Sequence, residues 1–383
     1  MKLAQVIGGF SFGGTERLCL NLVERMPPDI SHYVIGLDPS RTGMEDLFRQ
    51  HHNVELINAC ASHCGRLRLL VNLHGVLSDI QPDGMILHMF GLPAVIAAFG
   101  GRLAGLECIV GAAGNPAPVG PERRRWKALL GMYRTLRVPI FSCSAWVEDS
   151  LATLGPPLPQ GSGVIYNGVD VRGIFLSAKA TREAWDVNQE EWCIGMVSRL
   201  DAIKDHSTLL HAIASLPAEV RGKKIKLMLA GTGDLMGELQ ALARQLGIHD
   251  RVEFLGSRSN VAEFLGELDV YAFSTTPNEG FGIALLEAMA AGLPVIATDV
   301  PPCREVTDNG LAAILVPPRN ADALAQKLER LLTEDSLRRE LAERAHRKAA
   351  EKFDIEVTAE RWLRVACDGV TSNRGSSVRR ADE

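Results

Sequence analysis

Short apolar runs alternate with amphipathic helical stretches along almost the whole chain of 383 residues. The runs IFS and VYAF, at 140–142 and 270–273, are continuously apolar or nearly so. Strands of this kind are buried on both faces, which is typical of parallel sheets covered by helices. We predict thirteen strands, at 5–8, 33–37, 54–57, 85–88, 108–110, 140–142, 164–166, 194–197, 226–230, 252–255, 270–273, 294–298 and 313–316.

The alternation runs twice, and the two runs meet at the segment NGVDVRG, residues 167–173. We therefore predict a Rossmann-like domain at 1–168 and a second one at 169–358. A C-terminal helix and a disordered polar tail complete the chain at 359–383. Ligands of open parallel sheets bind at the carboxyl ends of strands, so the cleft between the domains is the predicted site.

Composition excludes several classes of protein. The net charge of −5 does not suit a chain that coats nucleic acid, so we expect no nucleic-acid partner. The uncharged stretch 84–101 has the length of a membrane span, but it contains Pro93 and four glycines and divides into a strand and a helix. The first residues lack the apolar run of a signal peptide. We expect a cytoplasmic protein.

Eight cysteines are scattered without the spacing of a disulfide framework, which predicts reduced thiols. One cluster, CASHC, brings Cys60, His63 and Cys64 together. A zinc site needs a fourth ligand and usually a second close pair. The cluster therefore favours a turn of small residues, and we expect no metal.

The stretch NEGFGIALLEAMAAG, residues 278–292, contains one carboxylate inside an otherwise apolar helix. An ionised carboxylate there costs several kcal/mol unless it is paired, so Glu287 should bind something; the alternative is that it lies on a solvated strip of the helix. The preceding glycines, Gly280 and Gly282, allow a ligand to approach the unpaired amides at the helix start. Glu287 lies about 9 Å into the helix, which is the distance from a phosphate to the ribose hydroxyls of a nucleotide. Glu279, at the helix mouth, would face the group beyond the phosphates.

Two other loops that follow predicted strands suit anion binding. Arg199 ends one strand and Lys204 follows five residues later, a pair that fits a diphosphate. Two cations in a loop are also often merely solvated. After the first strand, Gly13 and Gly14 permit close approach at the head of a helix.

A glycine pattern offers a rival interpretation. Gly231-x-Gly233 follows a strand, Gly237 comes four residues later, and Glu253 follows at the distance typical of a dinucleotide-binding fingerprint. The third glycine is one residue late, however, and Glu253 lies inside a strand. The pattern is weak evidence for a nicotinamide enzyme.

Four segments together resemble the retaining glycosyltransferases of family 4. NEGFGIALLEAMAAGLPVIATD is similar to the Glu-x7-Glu signature, VSRLDAIKDH to the Arg/Lys segment, VIYNGVD to the interdomain segment, and GGFSFGGTERLCLNL to the N-terminal Gly-Gly-x-Glu-Arg segment. The resemblance covers about residues 5–360. It implies the GT-B fold, an α/β architecture with two Rossmann-like domains that face each other across a cleft. The donor, a nucleotide-sugar, would bind the C-terminal domain and the acceptor the N-terminal one.

The resemblance assigns roles to individual residues. Glu287 would bind the ribose, and Arg199 with Lys204 the diphosphate. The donor sugar would be held by Glu279 and the backbone amides of Phe281, Gly282 and Ile283. His88, five residues after Pro82-Asp83, takes the place of the family's histidine near the reacting sugar; the alternative is a structural histidine at a strand end.

The chain departs from the family in two places. VPPCREV, residues 300–306, replaces a Gly-Gly and a Pro-Glu pair, and we expect this loop to touch the donor. Leu311 stands close to where the family has a glycine before the last strand, so we expect it to reshape the back of the donor site.

The segment ERRRWKALLGMYRTLR, residues 122–137, has six Lys/Arg against one Glu, with aromatic and leucine side chains at helical spacing. A basic amphipathic helix of this kind predicts peripheral contact with the inner face of the membrane, which suits a lipid-linked acceptor. A core-packed helix with a solvated basic face fits equally well.

We therefore expect a retaining hexosyltransferase that moves sugar from a UDP- or GDP-sugar to a hydroxyl of a carbohydrate or lipid-linked saccharide. The expected setting is cell-envelope or extracellular polysaccharide or glycolipid biosynthesis. No cofactor is expected, because the nucleotide-sugar is a substrate, and the chain contains no Asp-x-Asp. The alternatives are a nucleotide-sugar epimerase or hydrolase and a non-catalytic nucleotide-sugar-binding protein.

Overall fold

The structure, a computed structural model, describes residues 1–11, 13–62, 64–185 and 190–371. His63 and the predicted disordered tail after residue 371 lie outside these ranges. The chain divides into two compact units. Unit 1 comprises residues 1–168 together with the segment from 355 onward, and unit 2 comprises residues 169–354. The chain therefore first passes from unit 1 to unit 2 between residues 168 and 169, within the segment 167–173 where the two predicted domains meet.

Each unit is built on one sheet. The strands are β1 (Lys2–Ile7), β2 (Ser31–Gly36), β3 (Val54–Asn58), β4 (Gly84–Leu87), β5 (Ile109–Ala113), β6 (Ile140–Ser142), β7 (Gly163–Val164), β8 (Glu191–Val197), β9 (Glu219–Val220), β10 (Lys223–Ala230), β11 (Val252–Gly256), β12 (Val270–Phe273), β13 (Val295–Thr298) and β14 (Ile314–Val316). Each of the thirteen predicted strands overlaps one of these. Sequence analysis missed only the short β9, which pairs antiparallel with β10.

Helices connect the strands. They are α1 (Gly14–Arg25), α2 (Glu45–Arg49), α3 (Arg66–Ile80), α4 (Leu92–Leu103), α5 (Glu122–Thr135), α6 (Ala145–Ala152), α7 (Val171–Trp185), α8 (His206–Ser215), α9 (Met236–Gln245), α10 (Val261–Gly266), α11 (Ile283–Ala290), α12 (Pro301–Thr307), α13 (Ala321–Thr333), α14 (Asp335–Lys352) and α15 (Ile355–Thr371). None of the described helices is both long enough and apolar enough to span a bilayer.

The strand order of each sheet reverses once. In unit 1 the order is β3-β2-β1-β4-β5-β6-β7, and in unit 2 it is β11-β10-β8-β12-β13-β14. The connections after β1 and β4 therefore leave in opposite directions, as do those after β8 and β12. Such a reversal opens a crevice at the carboxyl ends of the two central strands, which is where ligands of open parallel sheets bind.

The last helix returns to unit 1. Trp362 of α15 is only 2% exposed and belongs to the same apolar cluster as Leu3 and Ile86 of the central strands. A Cβ atom at Gly84 would lie 2.2 Å from the backbone oxygen of Ala366, so only glycine lets β4 approach α15 this closely. The predicted end of the second domain at residue 358 is therefore wrong by a few residues, since unit 2 ends at residue 354.

Helix α5 packs into unit 1 with the side chains that were predicted to meet a membrane. Leu129, Leu130 and Tyr133 are buried, and the ring of Phe90 stacks on Tyr133 at 5.1 Å and lies 4.7 Å from Trp126. The aromatic face of α5 is thus a core face. The buried side chains of this face are not available to a membrane, and a membrane contact through residues 122–137 stays a prediction.

Two of the cysteines differ from expectation. Cys60, directly after β3, forms a disulfide with Cys64 before α3. The prediction of reduced thiols is wrong for this pair, because a turn brought together two cysteines four residues apart. The other six cysteines are free thiols.

A buried polar network lies under the central strands of unit 1. The Gln5 amide donates to His32 Nδ1 at 3.0 Å and accepts from His88 Nε2 at 2.9 Å. The two remaining ring nitrogens, His32 Nε2 and His88 Nδ1, are buried without a hydrogen-bond partner. Burial lowers the pKa of His88 to about 3 and that of His32 to about 4, so both rings are neutral at pH 7.

We expect the protein to lose stability as the pH falls from 6.5 towards 4. A histidine of the unfolded chain titrates near its ordinary pKa of 6.5, whereas the native rings stay neutral until a lower pH. Between these values the unfolded chain therefore binds more protons than the native protein. Each such group contributes a slope of roughly 1.4 kcal/mol per pH unit. His88→Gln should reduce the slope of the unfolding free energy, measured by urea denaturation between pH 7 and pH 5.

The matched control is His211→Gln, because His211 lies on the exposed side of α8. That variant should keep the wild-type slope. A His88→Gln protein with an unchanged slope would contradict the assignment of a depressed pKa.

Candidate functional site

Two loops meet at the reversal of the unit 2 sheet, one after β8 and one after β12. The backbone amide of Thr276 donates to the carbonyl of Ile203 at 3.0 Å. The amide of Asp205 donates to the carbonyl of Ser274 at 3.2 Å, and the Ser274 hydroxyl donates to the Asp205 carbonyl at 2.7 Å. These three bonds hold the two loops together. Such contact is expected of loops that follow neighbouring parallel strands, because the carboxyl ends of these strands lie at the same edge of the sheet.

Each loop contributes one charge to an ion pair. Lys204 Nζ contacts Glu279 Oε2, and the two side chains are only 13% and 12% exposed. The ammonium also lies 4.6 Å from the centre of the Phe273 ring. The other carboxylate oxygen of Glu279 accepts from the backbone amide of Gly280 at 3.2 Å. Two residues that the sequence analysis assigned to one ligand are therefore in direct contact.

Arg199 is in a different environment. Its side chain is 73% exposed and pairs with Asp201 at 3.0 Å. The same carboxylate accepts from the backbone amide of Ile203 at 3.0 Å and lies 3.4 Å from that of Lys204. Asp201 therefore shapes the loop that carries both cations. The sequence analysis gave Asp201 no role, although an Asp two residues before an amide it can bond is a recognisable turn signal.

A histidine also holds the backbone of Lys204 in place. His206 Nδ1 lies 3.1 Å from the carbonyl oxygen of Lys204, and its Nε2 lies 2.8 Å from the Ser198 hydroxyl. Since a carbonyl only accepts, Nδ1 carries the proton and Nε2 accepts from Ser198. Burial lowers the pKa of His206 to about 4, so the ring is neutral at pH 7. The sequence offered no signal for this role.

The helix after the second loop begins at a glycine. Its N-cap is Gly282, with φ of +90°, a left-handed conformation that favours glycine and that offers no side chain to cap the helix. Phe281 is buried and packs edge-on against Phe353 at 5.6 Å. The backbone at Phe281, Gly282 and Ile283 thus forms the positive end of α11, an anion-binding element.

Glu287 lies in the middle of α11 and is partly exposed. Burial raises the pKa of Tyr271, and the negative charges of Glu287 and Glu279 raise it further. Both carboxylates therefore act on the same buried phenol of the neighbouring strand.

Helix α12 adjoins this ion pair. Residues 300–306, expected to be a loop, form most of α12, because Pro301 and Pro302 suit the first turn of a helix. Its Cys303 is fully buried, and besides burial the charge of Glu279 raises the pKa of the thiol while Lys204 lowers it. The segment thus lies within electrostatic reach of the pair. Leu311 is 63% exposed.

The rival glycine pattern has a structural explanation. A Cβ atom at Gly231 would lie 1.8 Å from the Ser198 carbonyl oxygen, and one at Gly233 would lie 2.3 Å from that of Leu200. Both glycines let the β10 loop pack against the backbone that carries Arg199. A Cβ at Gly237 would meet nothing within 4 Å. Glu253 pairs with Lys226 at 2.8 Å on the sheet.

The predicted residues of unit 1 lie at its own reversal. Gly13 caps α1 in an extended conformation and Gly14 begins that helix. A Cβ at Gly13 would lie 2.5 Å from the Glu16 carboxylate, which pairs with Arg41 at 3.0 Å. His88 follows β4 but is 3% exposed and bonded within the core. This position supports a structural role, and a catalytic role for His88 stays a prediction.

Comparison with known proteins relates this geometry to a family. Residues 177–348 match the family model described as Glycosyl transferases group 1. The matched segment spans most of unit 2, including the ion pair and α11.

Curated relatives and solved structures agree with this match. The chain is 29% identical over 215 residues to N-acetyl-alpha-D-glucosaminyl L-malate synthase of Bacillus anthracis, covering 56% of this chain and 55% of that protein. It is 36% identical over 156 residues to phosphatidyl-myo-inositol mannosyltransferase of Mycobacterium leprae, covering 40% of each. The matches thus span about half the length of the first of these relatives.

The crystal structure of Anabaena HepE in complex with UDP and glucose covers 97% of this chain and 100% of its own, with a TM-score of 0.80 and 20% identity. The fold is GT-B. The predicted fold class of two parallel α/β units is confirmed.

We expect Gly231→Ala to destabilise the protein by several kcal/mol. The new Cβ would overlap the Ser198 carbonyl, and φ of +144° is strained for any other residue. Thermal unfolding of the variant should show this loss.

The control is Gly237→Ala, at the third glycine of the same pattern. Gly237 is exposed within α9, where alanine is favoured by about 1 kcal/mol. Equal effects of the two substitutions would contradict the packing account.

Proposed function

We propose that the chain is a retaining hexosyltransferase of glycosyl transferase group 1. It transfers sugar from a UDP- or GDP-sugar to a hydroxyl of a carbohydrate or lipid-linked saccharide. The reaction serves cell-envelope or extracellular polysaccharide or glycolipid synthesis. The relatives support this class of acceptor, since one of them is a phosphatidyl-myo-inositol mannosyltransferase.

The contact between Lys204 and Glu279, in the loops that lead to the N-terminal end of α11, carries the proposal. It places a cation, a carboxylate and the positive end of a helix within one small region. A nucleotide-sugar presents complementary groups in the same order: phosphate oxygens for the cation and amides, and sugar hydroxyls for the carboxylate.

Breaking the bond between sugar and phosphate leaves negative charge on the diphosphate. In our proposal Lys204 and the amides of Phe281, Gly282 and Ile283 stabilise that charge, because preorganised donors need little reorganisation. The Arg199 side chain is exposed and pairs with Asp201 at the surface, so it can turn from Asp201 to the phosphates. Glu287 binds the ribose, and Gly13 with Gly14 allows a ligand to approach the backbone at the start of α1.

The contacts of Glu279 fit a reaction that retains the anomeric configuration without a covalent intermediate. One of its oxygens contacts Lys204 and the other accepts from the Gly280 amide. A carboxylate held in this way is a poor nucleophile. We propose that the acceptor hydroxyl attacks on the face from which the diphosphate departs, and that Glu279 accepts hydrogen bonds from the donor sugar.

We further propose that the reaction uses no cofactor and no metal ion, because Lys204, Arg199 and a helix terminus can supply the positive charge for a diphosphate. The proposed location is the cytoplasm, with peripheral contact at the inner face of the membrane. The unit that contains residues 122–137 makes that contact.

The donor-site proposal predicts the effect of losing the cations. Arg199→Ala and Lys204→Ala should each weaken UDP or GDP binding by about 1.5–3 kcal/mol, the value of a charge-assisted hydrogen bond. Isothermal titration with both nucleotides would measure this and would identify the base.

Arg339→Ala is the control, because Arg339 is an exposed arginine of α14 in the same unit. It should bind nucleotide like the wild type. Unchanged affinity in Arg199→Ala and Lys204→Ala would rule out the assigned diphosphate site.

Sugar transfer should continue in the presence of EDTA, because the proposed anion site is built from protein groups. The measurement is product formation from donor and acceptor with and without chelator. Activity lost in EDTA and restored by magnesium or manganese would contradict the proposal. Consumption of donor without acceptor would instead indicate a hydrolase or epimerase.

A further inference from the structure

Five of the exposed large apolar side chains lie on three consecutive helices of unit 1. They are Leu67 and Val71 on α3, Phe99 and Leu103 on α4, and Met132 on α5, with exposed fractions of 76%, 61%, 43%, 54% and 44%. The pairs on α3 and α4 are spaced four residues apart, so each forms a stripe along its helix. We call this surface, with the side chains between the stripes, the α3–α5 face.

A groove runs along this face. It has a volume of about 750 Å³ and its lining is mostly apolar, including Leu70, Leu92, Val95 and Ile96 beside the exposed side chains. Soluble proteins seldom expose so continuous an apolar surface unless it binds something.

Positive charge predominates on the helices of this face, and Arg66 lines the groove itself. The three helices contain eight Lys or Arg and only two carboxylates, Asp79 and Glu122, although the whole chain has a net charge of −5. Two of the cations are engaged elsewhere: Arg102 donates to backbone oxygens that include Leu136 O, and Arg123 donates to Thr153. The remaining six are exposed: Arg66, Arg68, Arg124, Arg125, Lys127 and Arg134.

An apolar groove on strongly basic helices is complementary to an anionic bilayer. Apolar side chains enter the acyl boundary, while each nearby Lys or Arg gains about 1 kcal/mol from the negative surface potential. A second copy of the chain fits less well, because an isologous interface would place the cationic helices of one copy against those of the other. Nucleic acid would leave the apolar groove unmatched.

We infer that the α3–α5 face docks on an anionic lipid bilayer. The inference rests on the proposed function for its purpose, because a lipid-linked acceptor would be presented at that surface. The contact differs from the one expected from the sequence: the aromatic face of α5 is in the core, and the docking residues are the outer side chains of three helices.

The experiment is co-sedimentation of the full chain with vesicles of phosphatidylcholine, with and without phosphatidylglycerol. The wild type should bind only the vesicles with phosphatidylglycerol, and added salt should weaken binding. The double variant Leu67→Glu/Phe99→Glu should bind at least tenfold more weakly. Because both side chains are exposed, the variant should fold, which circular dichroism would check. Arg66→Glu/Arg68→Glu should have a similar effect.

Two controls carry the same changes in unit 2. Leu176→Glu replaces an apolar side chain that is 54% exposed, and Arg339→Glu reverses an exposed charge. Both should bind vesicles like the wild type.

Absence of wild-type binding, or equal binding by Leu67→Glu/Phe99→Glu, would overturn the inference. So would a wild-type dimer, seen by light scattering, that this variant converts to monomer, because the face would then bind a second copy. Nucleotide titration of the same variants separates the two proposals. Normal UDP or GDP affinity with lost vesicle binding supports docking, while vesicle binding without nucleotide binding overturns the proposed function alone.

Discussion

The ion pair between Lys204 and Glu279 fixes the geometry of the candidate site. Each charge comes from a different loop, and both side chains are largely shielded from water. Removing either one would leave a partly buried charge without a partner, which is far more costly than losing an exposed pair. The conformation of the β8 loop therefore depends on that of the β12 loop.

The residues around this pair restrict the backbone that presents it. Asp201 and His206 bind backbone groups on either side of Lys204, and the hydroxyl of Ser274 binds the next carbonyl. On the other side of the loop, Gly231 brings the backbone of β10 against Ser198. Both cations of the loop are paired with carboxylates, Arg199 with Asp201 and Lys204 with Glu279, so a ligand must compete with these pairs for the positive charge.

The sequence predicts the strands well because strands that are buried on both faces are continuous runs of apolar residues. It predicted the approach of Lys204 to Glu279 only through a family resemblance, since parallel strands neighbour each other in an order that local periodicity does not encode. It missed Asp201 and His206, whose roles depend on backbone groups that the fold brings to them. Amphipathic spacing in α5 showed that the helix has an apolar face, but the same spacing serves a core and a membrane. Only the packing of Tyr133 decides between them.

The return of α15 to unit 1 makes unit 2 an insertion within unit 1. The segments where the chain enters and leaves unit 2 are joined by a hydrogen bond from the Val169 amide to the Phe353 carbonyl. During synthesis, the ribosome completes unit 2 before it reaches Trp362, which fills the core beside Leu3. The first strands made must therefore wait, with apolar surface uncovered, for the helix made after the whole of unit 2. Until α15 is made, that surface is exposed to non-native contacts and to aggregation.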